Sequence, residues 1–301
     1  MSADGRFAPS PTGPLHLGSL RTALVAWLFA RSQSARFRLR IEDLDPQRSR
    51  PQFEAAHTAD LAALGIDWDG PVVRQSQRLG LYERALAELR AQDRLYPCFC
   101  TRAEIREAAS APHGEYPEGA YPGTCRKLTA AERRARERSG RPHALRLRAD
   151  GERIEFADRI LGTQAARVDD FVVRRADGVP AYQLAVVVDD ADQGIGEVVR
   201  GADLLTSTPR QILLSRLLDL PQPAHAHVPL VLGADGARLA KRHGAVTLED
   251  RPEGPATVLA ELAHTLGLAL DRPHVSGAAE LLADFDPNRL PREPVTLPRP
   301  S

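Results

Sequence analysis

Arg6-Phe7-Ala8-Pro9-Ser10-Pro11-Thr12-Gly13-Pro14-Leu15-His16-Leu17-Gly18-Ser19 opens the chain, and its reading decides the fold. Three prolines and two glycines make it a tight turn with few backbone donors. Immediately after it, Leu20, Ala23, Leu24, Trp27, Leu28 and Arg31 recur at three and four, which predicts a helix buried along one face. A strand, a turn and a helix start suit an anion, because the first helical N–H groups lack intrahelical partners and the macrodipole favours negative charge. His16 stands just before that start and can donate to a phosphate; Gly18, without a side chain, lets a flat ring approach the backbone. A His-x-Gly triplet by itself is an ordinary turn.

Outward from this stretch the pattern alternates. Residues 36–41 read as a strand with Phe37, Leu39 and Ile41 on one face, closed by the polar loop Glu42-Asp43-Leu44-Asp45-Pro46. Helices are expected at 53–64 and 78–92, and strand-helix-strand-helix begins a doubly wound α/β domain whose ligands lie at the carboxyl ends of the strands. The stretch 96–148 breaks the pattern with all three cysteines, clustered Pro and Gly, and a charged helix at 129–139, and it reads as an insertion. Strands are expected at 143–147, 154–156 and 171–174, with Asp177-Gly178 as a turn between strands. The apolar run 181–188 reads as a strand buried on both faces. A helix through Ile212 to Leu218, a strand at 228–232, a loop at 233–244 and a short amphipathic helix at 255–266 follow, with one further helix near 278–282. The expected divisions are 1–95 and 149–250 as two halves of the α/β domain, 96–148 as an insertion between them, and 251–301 as a short helical, proline-rich region.

At 301 residues, 43% apolar and 27% charged, the chain suits a globular protein with a substantial core. Forty basic side chains balance forty acidic ones, so a nucleic-acid partner needs a local basic patch; the arginine-rich stretch 126–148 offers one. No charged-then-apolar leader and no membrane-length apolar run appear, and three cysteines make no disulfide framework, which points to a reducing cytoplasm and no membrane partner.

The loop Asp235-Gly236-Ala237-Arg238-Leu239-Ala240-Lys241-Arg242-His243-Gly244 places basic side chains between glycines. It reads either as a solvated basic loop or as a lid over phosphates whose lysine stabilises charge as pyrophosphate leaves. Glu42 at a strand end can grip an amino group or belong to an exposed acidic loop. Cys98, Cys100 and Cys125 suit structural zinc, which takes four ligands. On the residues alone the fourth is open among His113, His143, Tyr116 and Tyr121.

Residues 6–19 resemble the first signature of class I aminoacyl-tRNA synthetases in its glutamyl version, whose second histidine is here Ser19. Residues 238–242 resemble the second signature, with Arg238 for the first lysine and Ala240 for the serine, while Lys241 keeps the catalytic position. The run 40–45, with 187–190 and 198–204, extends the likeness, which covers roughly residues 5–250. The resemblance implies a Rossmann-like doubly wound parallel sheet with an inserted zinc-containing α+β subdomain. It implies His16 and Lys241 as catalytic. Arg6, Ala8, Ser10, Glu42, Tyr182 and Arg200 would hold glutamate, with Glu42 on the α-amino group and Arg6 and Arg200 on carboxylates. His16, Gly18, Ser19, Arg238, Leu239 and Lys241 would hold ATP with Mg2+.

About sixty residues past Lys241 the chain stops, short of the anticodon-reading domains of full glutamyl-tRNA synthetases. Tyr121-Pro122-Gly123-Thr124-Cys125 beside the Cys-x-Cys pair adds to that, and together they resemble the glutamyl-queuosine tRNA(Asp) synthetases. That family implies one structural Zn2+ on Cys98, Cys100, Tyr121 and Cys125. It also implies tRNA-independent activation of L-glutamate and transfer to queuosine in the anticodon loop of tRNA(Asp), by a monomer. Two alternatives stand beside it: a shortened enzyme charging the 3′ end of a tRNA, and a non-catalytic RNA- or nucleotide-binding relic.

Overall fold

The computed structural model describes residues 4–101, 103–105, 120–233, 235–237, 239 and 246–296. Its first half is β1 (Gly5–Phe7), α1 (Leu17–Ser32), β2 (Phe37–Ile41), α2 (Pro51–Ala63), β3 (Val73–Arg74) and α3 (Leu79–Ala91). Strands β1, β2 and β3 pair in parallel in that order. Helix α1 is buried almost all round, from Leu20 to Ala30, rather than along one face. It lies against β1 so closely that a Cβ on Gly5 would stand 3.1 Å from that of Ala30.

The chain continues through β4 (Leu95–Cys98), α4 (Ala130–Arg138), β5 (Ala144–Leu147), β6 (Arg153–Asp158), β7 (Gly162–Arg167) and β8 (Val172–Arg174). Strands β4, β5 and β8 form a separate antiparallel sheet beside a small core of Tyr96, Cys98, Phe99, Tyr121 and Cys125. Helix α4 has no buried residue; it begins on a capping box between Thr129 and Glu132 and carries Arg136 and Arg138 in its last turn.

Then come α5 (Tyr182–Asp192), β9 (Glu197–Gly201), α6 (Thr208–Leu217), β10 (Ala224–Val228), β11 (Val231–Leu232), α7 (Pro255–His264) and β12 (Val295–Thr296). The apolar run expected as a strand at 181–188 is therefore helix α5. A short continuous apolar run fits a buried strand and a buried helix equally. Here the helix packs against α3, α6 and β8, so Leu184 to Asp190 are buried on every side. The turn at Asp177-Gly178 forms as expected, with Gly178 at φ +87°, but it leads from a strand into a helix.

Strand β9 lies beside β1, joined by a parallel bridge between Asp4 and Ile195 and by hydrogen bonds from the Gly196 and Glu197 N–H groups to the Asp4 carbonyl. Strand β10 follows β9 in parallel, then β6, with β7 antiparallel at the edge. The chain thus winds outward from β1 in both directions, and the gap beyond the carboxyl ends of β1 and β9 is the switch point where such sheets bind ligands. The doubly wound α/β expectation holds. Among the described residues no helix is long and apolar enough to cross a membrane.

Candidate active site

A cavity of about 480 Å³ opens at that switch point. Arg6 reaches it from the end of β1, Glu42 from the residue after β2, Arg200 from the end of β9 and Tyr182 from the start of α5. Ala8, Ser10, His16, Gly18, Ser19 and Leu239 line it too. Of the residues singled out for glutamate and ATP, only Arg238 and Lys241 are missing from this wall. Both lie outside the described residues, as do His113 and Tyr116 among the candidate metal ligands.

The cavity's charged groups are tied from beneath. Arg40, wholly buried, donates from Nη1 to Asp190 Oδ1 at 2.7 Å and to Gln193 Oε1 at 2.8 Å, and from Nη2 to Glu42 Oε1 at 3.3 Å. Arg6 donates from Nε to the same Asp190 oxygen at 3.4 Å and from Nη1 to the Val199 carbonyl at 3.1 Å. Burial pushes the Glu42 carboxyl above its ordinary range, and the Arg40 and Arg6 cations offset only part of that. For Asp190, burial works in the same direction but Arg40 and Arg6 outweigh it, so its carboxyl is held low and ionised.

Arg200 is fixed by a second relay. Its Nη2 donates to Thr208 Oγ1 at 2.7 Å, its Nη1 to the Tyr182 hydroxyl at 3.4 Å and its Nε to His227 Nε2 at 3.1 Å. His227 turns its other nitrogen, Nδ1, to Asp158 Oδ2 at 2.5 Å. Burial lowers the His227 pKa. A neutral ring protonated on Nδ1 satisfies both contacts, donating to Asp158 and accepting from Arg200. Burial pushes the Tyr182 phenol up, so Arg200 faces a neutral hydroxyl there.

On the helix side, three of the first four N–H groups of α1 are engaged: Leu17 to the Val246 carbonyl at 2.7 Å, Ser19 and Leu20 to that of His16 at 2.8 and 3.0 Å. The turn uses its backbone donors more fully than its sequence suggests. His57 braces it from below, donating from Nε2 to the Gly13 carbonyl at 2.7 Å. A Cβ on Gly18 would meet only Val231, at 3.7 Å, so the space in front of it is open. Both flanks of the loop that carries Lys241 are anchored at this wall. Leu239 N–H bonds to the Val231 carbonyl at 3.0 Å, and Thr247 bridges to His16.

In the antiparallel sheet, the sulfurs of Cys98, Cys100 and Cys125 lie within 4.8 Å of one another. The Tyr121 hydroxyl is 3.5 Å from Cys98 Sγ and 3.6 Å from Cys100 Sγ, and it accepts the Cys125 N–H at 2.7 Å. Tetrahedral ligands at ~2.3 Å from zinc stand roughly 3.8 Å apart, so this set fits zinc after a small adjustment. Of the four candidates for fourth ligand, Tyr121 stands at the cluster, while the His143 ring packs on Phe99 with centroids 5.3 Å apart. Burial pushes the Cys100 thiol up to about 12. Burial acts likewise on Cys125, but the Phe99 N–H and hydrogen bonds from its neighbours outweigh it and hold that thiol low, as a metal ligand requires.

Arg40 and Asp190 lie in runs that carry the family likeness but receive no role from the sequence, and His227, Thr208 and Asp158 are not singled out in it at all. The available signal was Arg40 itself, which with Arg38 makes the charged face of a strand that the α/β pattern places in the interior of a sheet, where a charge demands a buried partner.

Comparison with known proteins follows the same lines. Residues 3–260 match the family model described as tRNA synthetases class I (E and Q), catalytic domain. The glutamyl-Q tRNA(Asp) synthetase of Nocardia farcinica is 60% identical over 293 residues, 96% of this chain and 91% of that protein. The glutamyl-Q tRNA(Asp) synthetase of Symbiobacterium thermophilum is 56% identical over 98% of this chain and 95% of that protein. Among solved structures, a glutamate tRNA ligase from Elizabethkingia meningosepticum in complex with its amino acid superposes with a TM-score of 0.83 at 28% identity, over 99% of this chain and 67% of that one.

Proposed function

The chain belongs to the class I tRNA synthetases of the E and Q group, and from that premise we propose that it is a glutamyl-Q tRNA(Asp) synthetase acting as a monomer. L-glutamate and magnesium-bound ATP are its first substrates. A glutamate carboxylate oxygen attacks the α-phosphorus; the bond to the bridging oxygen of pyrophosphate breaks, and glutamyl-adenylate forms. A hydroxyl of the queuosine base in the tRNA(Asp) anticodon then attacks the acyl carbon, AMP leaves with the bonding electrons, and the hydroxyl proton is released.

The observation that carries this reading is the single cavity lined by Arg6, Glu42, Tyr182 and Arg200 together with His16, Gly18 and Ser19. Glu42 takes the α-amino group, and Arg6 and Arg200 take the carboxylates. The amino acid is thereby positioned against the nucleotide, so the chemistry needs no covalent nucleophile from the protein. Lys241 and His16 meet the charge that grows on the phosphates. Zinc on Cys98, Cys100, Cys125 and Tyr121 would hold the antiparallel sheet in shape.

Glutamate-dependent exchange of labelled pyrophosphate into ATP, without RNA, is the first test. Lys241→Ala should slow it by about a hundredfold or more while leaving glutamate binding within about threefold, because its partner charge exists only in the transition state. Labelled glutamate should then appear on queuosine-containing tRNA(Asp). Label on tRNA(Glu) instead would make it a 3′-end charging enzyme, and folded protein without exchange would make it a relic.

A further inference from the structure

We propose that Asp190 is a positioning residue for glutamate, the one carboxylate that sets both the cation and the anion of the amino-acid site. The inference rests on the function proposed above. Asp190 Oδ1 receives Arg40 Nη1 at 2.7 Å and Arg6 Nε at 3.4 Å. Arg40 passes the constraint on, because its other terminal nitrogen holds Glu42 Oε1 at 3.3 Å. One buried oxygen thus fixes Arg6, destined for a substrate carboxylate, and through Arg40 fixes Glu42, destined for the amino group.

The charges explain why a carboxylate is needed there. Arg6, Arg40 and Arg200 are all at most 5% exposed and crowd one side of the cavity. Glu42 and Asp190 stand among them, with Asp189 3.7 Å from Arg40 Nε and Asp203 on the cavity wall; of these only Asp190 meets both Arg40 and Arg6. With Asp190 neutral, Arg40 would keep Glu42 and the buried Asp189, whose Oδ2 lies 3.7 Å from its Nε, and its pull on Glu42 would change, while Arg6 would lose its side-chain acceptor and turn toward the Val199 carbonyl that its Nη1 already meets. Asparagine could keep one acceptor for Arg40, but its amide N–H would face another donor. The nucleotide wall is built from a different part of the fold, the turn and the first residues of α1.

The test uses the full chain and pyrophosphate exchange, with glutamate and ATP varied separately, for wild type, Asp190→Asn, Glu42→Gln and the double variant. Asp170→Asn serves as control: Asp170 is also buried, but it binds Tyr96, Ala149 and Arg126 in the antiparallel sheet. Asp190→Asn should raise the glutamate KM by about ten- to a hundredfold and leave the ATP KM within about twofold. In the Glu42→Gln background its effect should shrink, since the two act on one path. Asp170→Asn should leave the glutamate KM unchanged. Equal losses for both substrates, or full additivity in the double variant, would overturn the proposal, leaving Asp190 a merely structural acid. If Asp190→Asn fails to fold, Arg40→Lys reads the same path, because lysine cannot reach Asp190 and Glu42 at once; an unchanged glutamate KM in that variant overturns it too. A wild-type protein without glutamate-dependent exchange would remove the proposed function and this inference together.

Discussion

At the scale of residues, the second relay has a neighbour with a sharp pH signature. His225 is 4% exposed, stacks parallel to His227 with ring centroids 6.3 Å apart, and takes an edge contact from Phe156. Burial, helped by Arg200, lowers its pKa from 6.5 to about 3. The unfolded chain takes up a proton at 6.5 that the folded one refuses, so this contribution is complete above pH 6.5 and disappears as pH falls toward 3. At pH 5 the loss is about 2 kcal/mol. His225→Asn should therefore flatten the fall of Tm between pH 7 and 5, as thermal melts across that range will read; an unaltered slope would assign the acid sensitivity elsewhere. Residue-level legibility follows chain distance. Arg6, Ser10, His16 and Gly18 are near neighbours in one string and can be read from it. Arg40 meets Asp190, and Asp158 meets His227, only after folding brings together positions separated by 150 and 69 residues.

At the scale of elements, α5 and the cysteine cluster mark opposite ends of what a sequence tells. The apolar run in α5 carries no periodicity, so only its neighbours α3 and α6 decide that it is helical. The cysteines declare themselves by type, and the fold had only to bring Cys125 back to Cys98 and Cys100. The Cys98 end of β4 packs on a small core of sulfurs with Tyr96, Phe99 and Tyr121, while Leu95, Leu145 and Leu147 of β4 and β5 join a larger apolar core. Zinc binding should supply much of the local stability at the cysteine end. Removing metal with a chelator should speed amide exchange across β4 and β5 and leave β1, β2, β9 and β10 protected, as hydrogen-exchange mass spectrometry will show. Uniform change, or none, would deny the cluster a metal's structural role.

At the scale of the whole molecule, a chain of zero net charge concentrates nine Arg and Lys against two Glu in residues 126–148. Helix α4 within that stretch is exposed along its length. Under the proposed function this field would meet the phosphates of the anticodon stem and loop. Arg134→Glu combined with Arg138→Glu should weaken RNA binding at least about tenfold and reduce its salt slope by about 2, while pyrophosphate exchange continues. An unchanged slope in filter binding across salt would place the RNA elsewhere.

The parallel pair of β11 with β12 joins Val231 to Val295 and Leu232 to Thr296. The loop that carries Lys241 leaves directly from β11, so its footing is completed by residues the ribosome adds some sixty codons later (295 − 231 = 64). A nascent chain interrupted between Lys241 and Val295 already owns every side chain assigned to substrate, yet it lacks the strand on which that loop's first anchor rests.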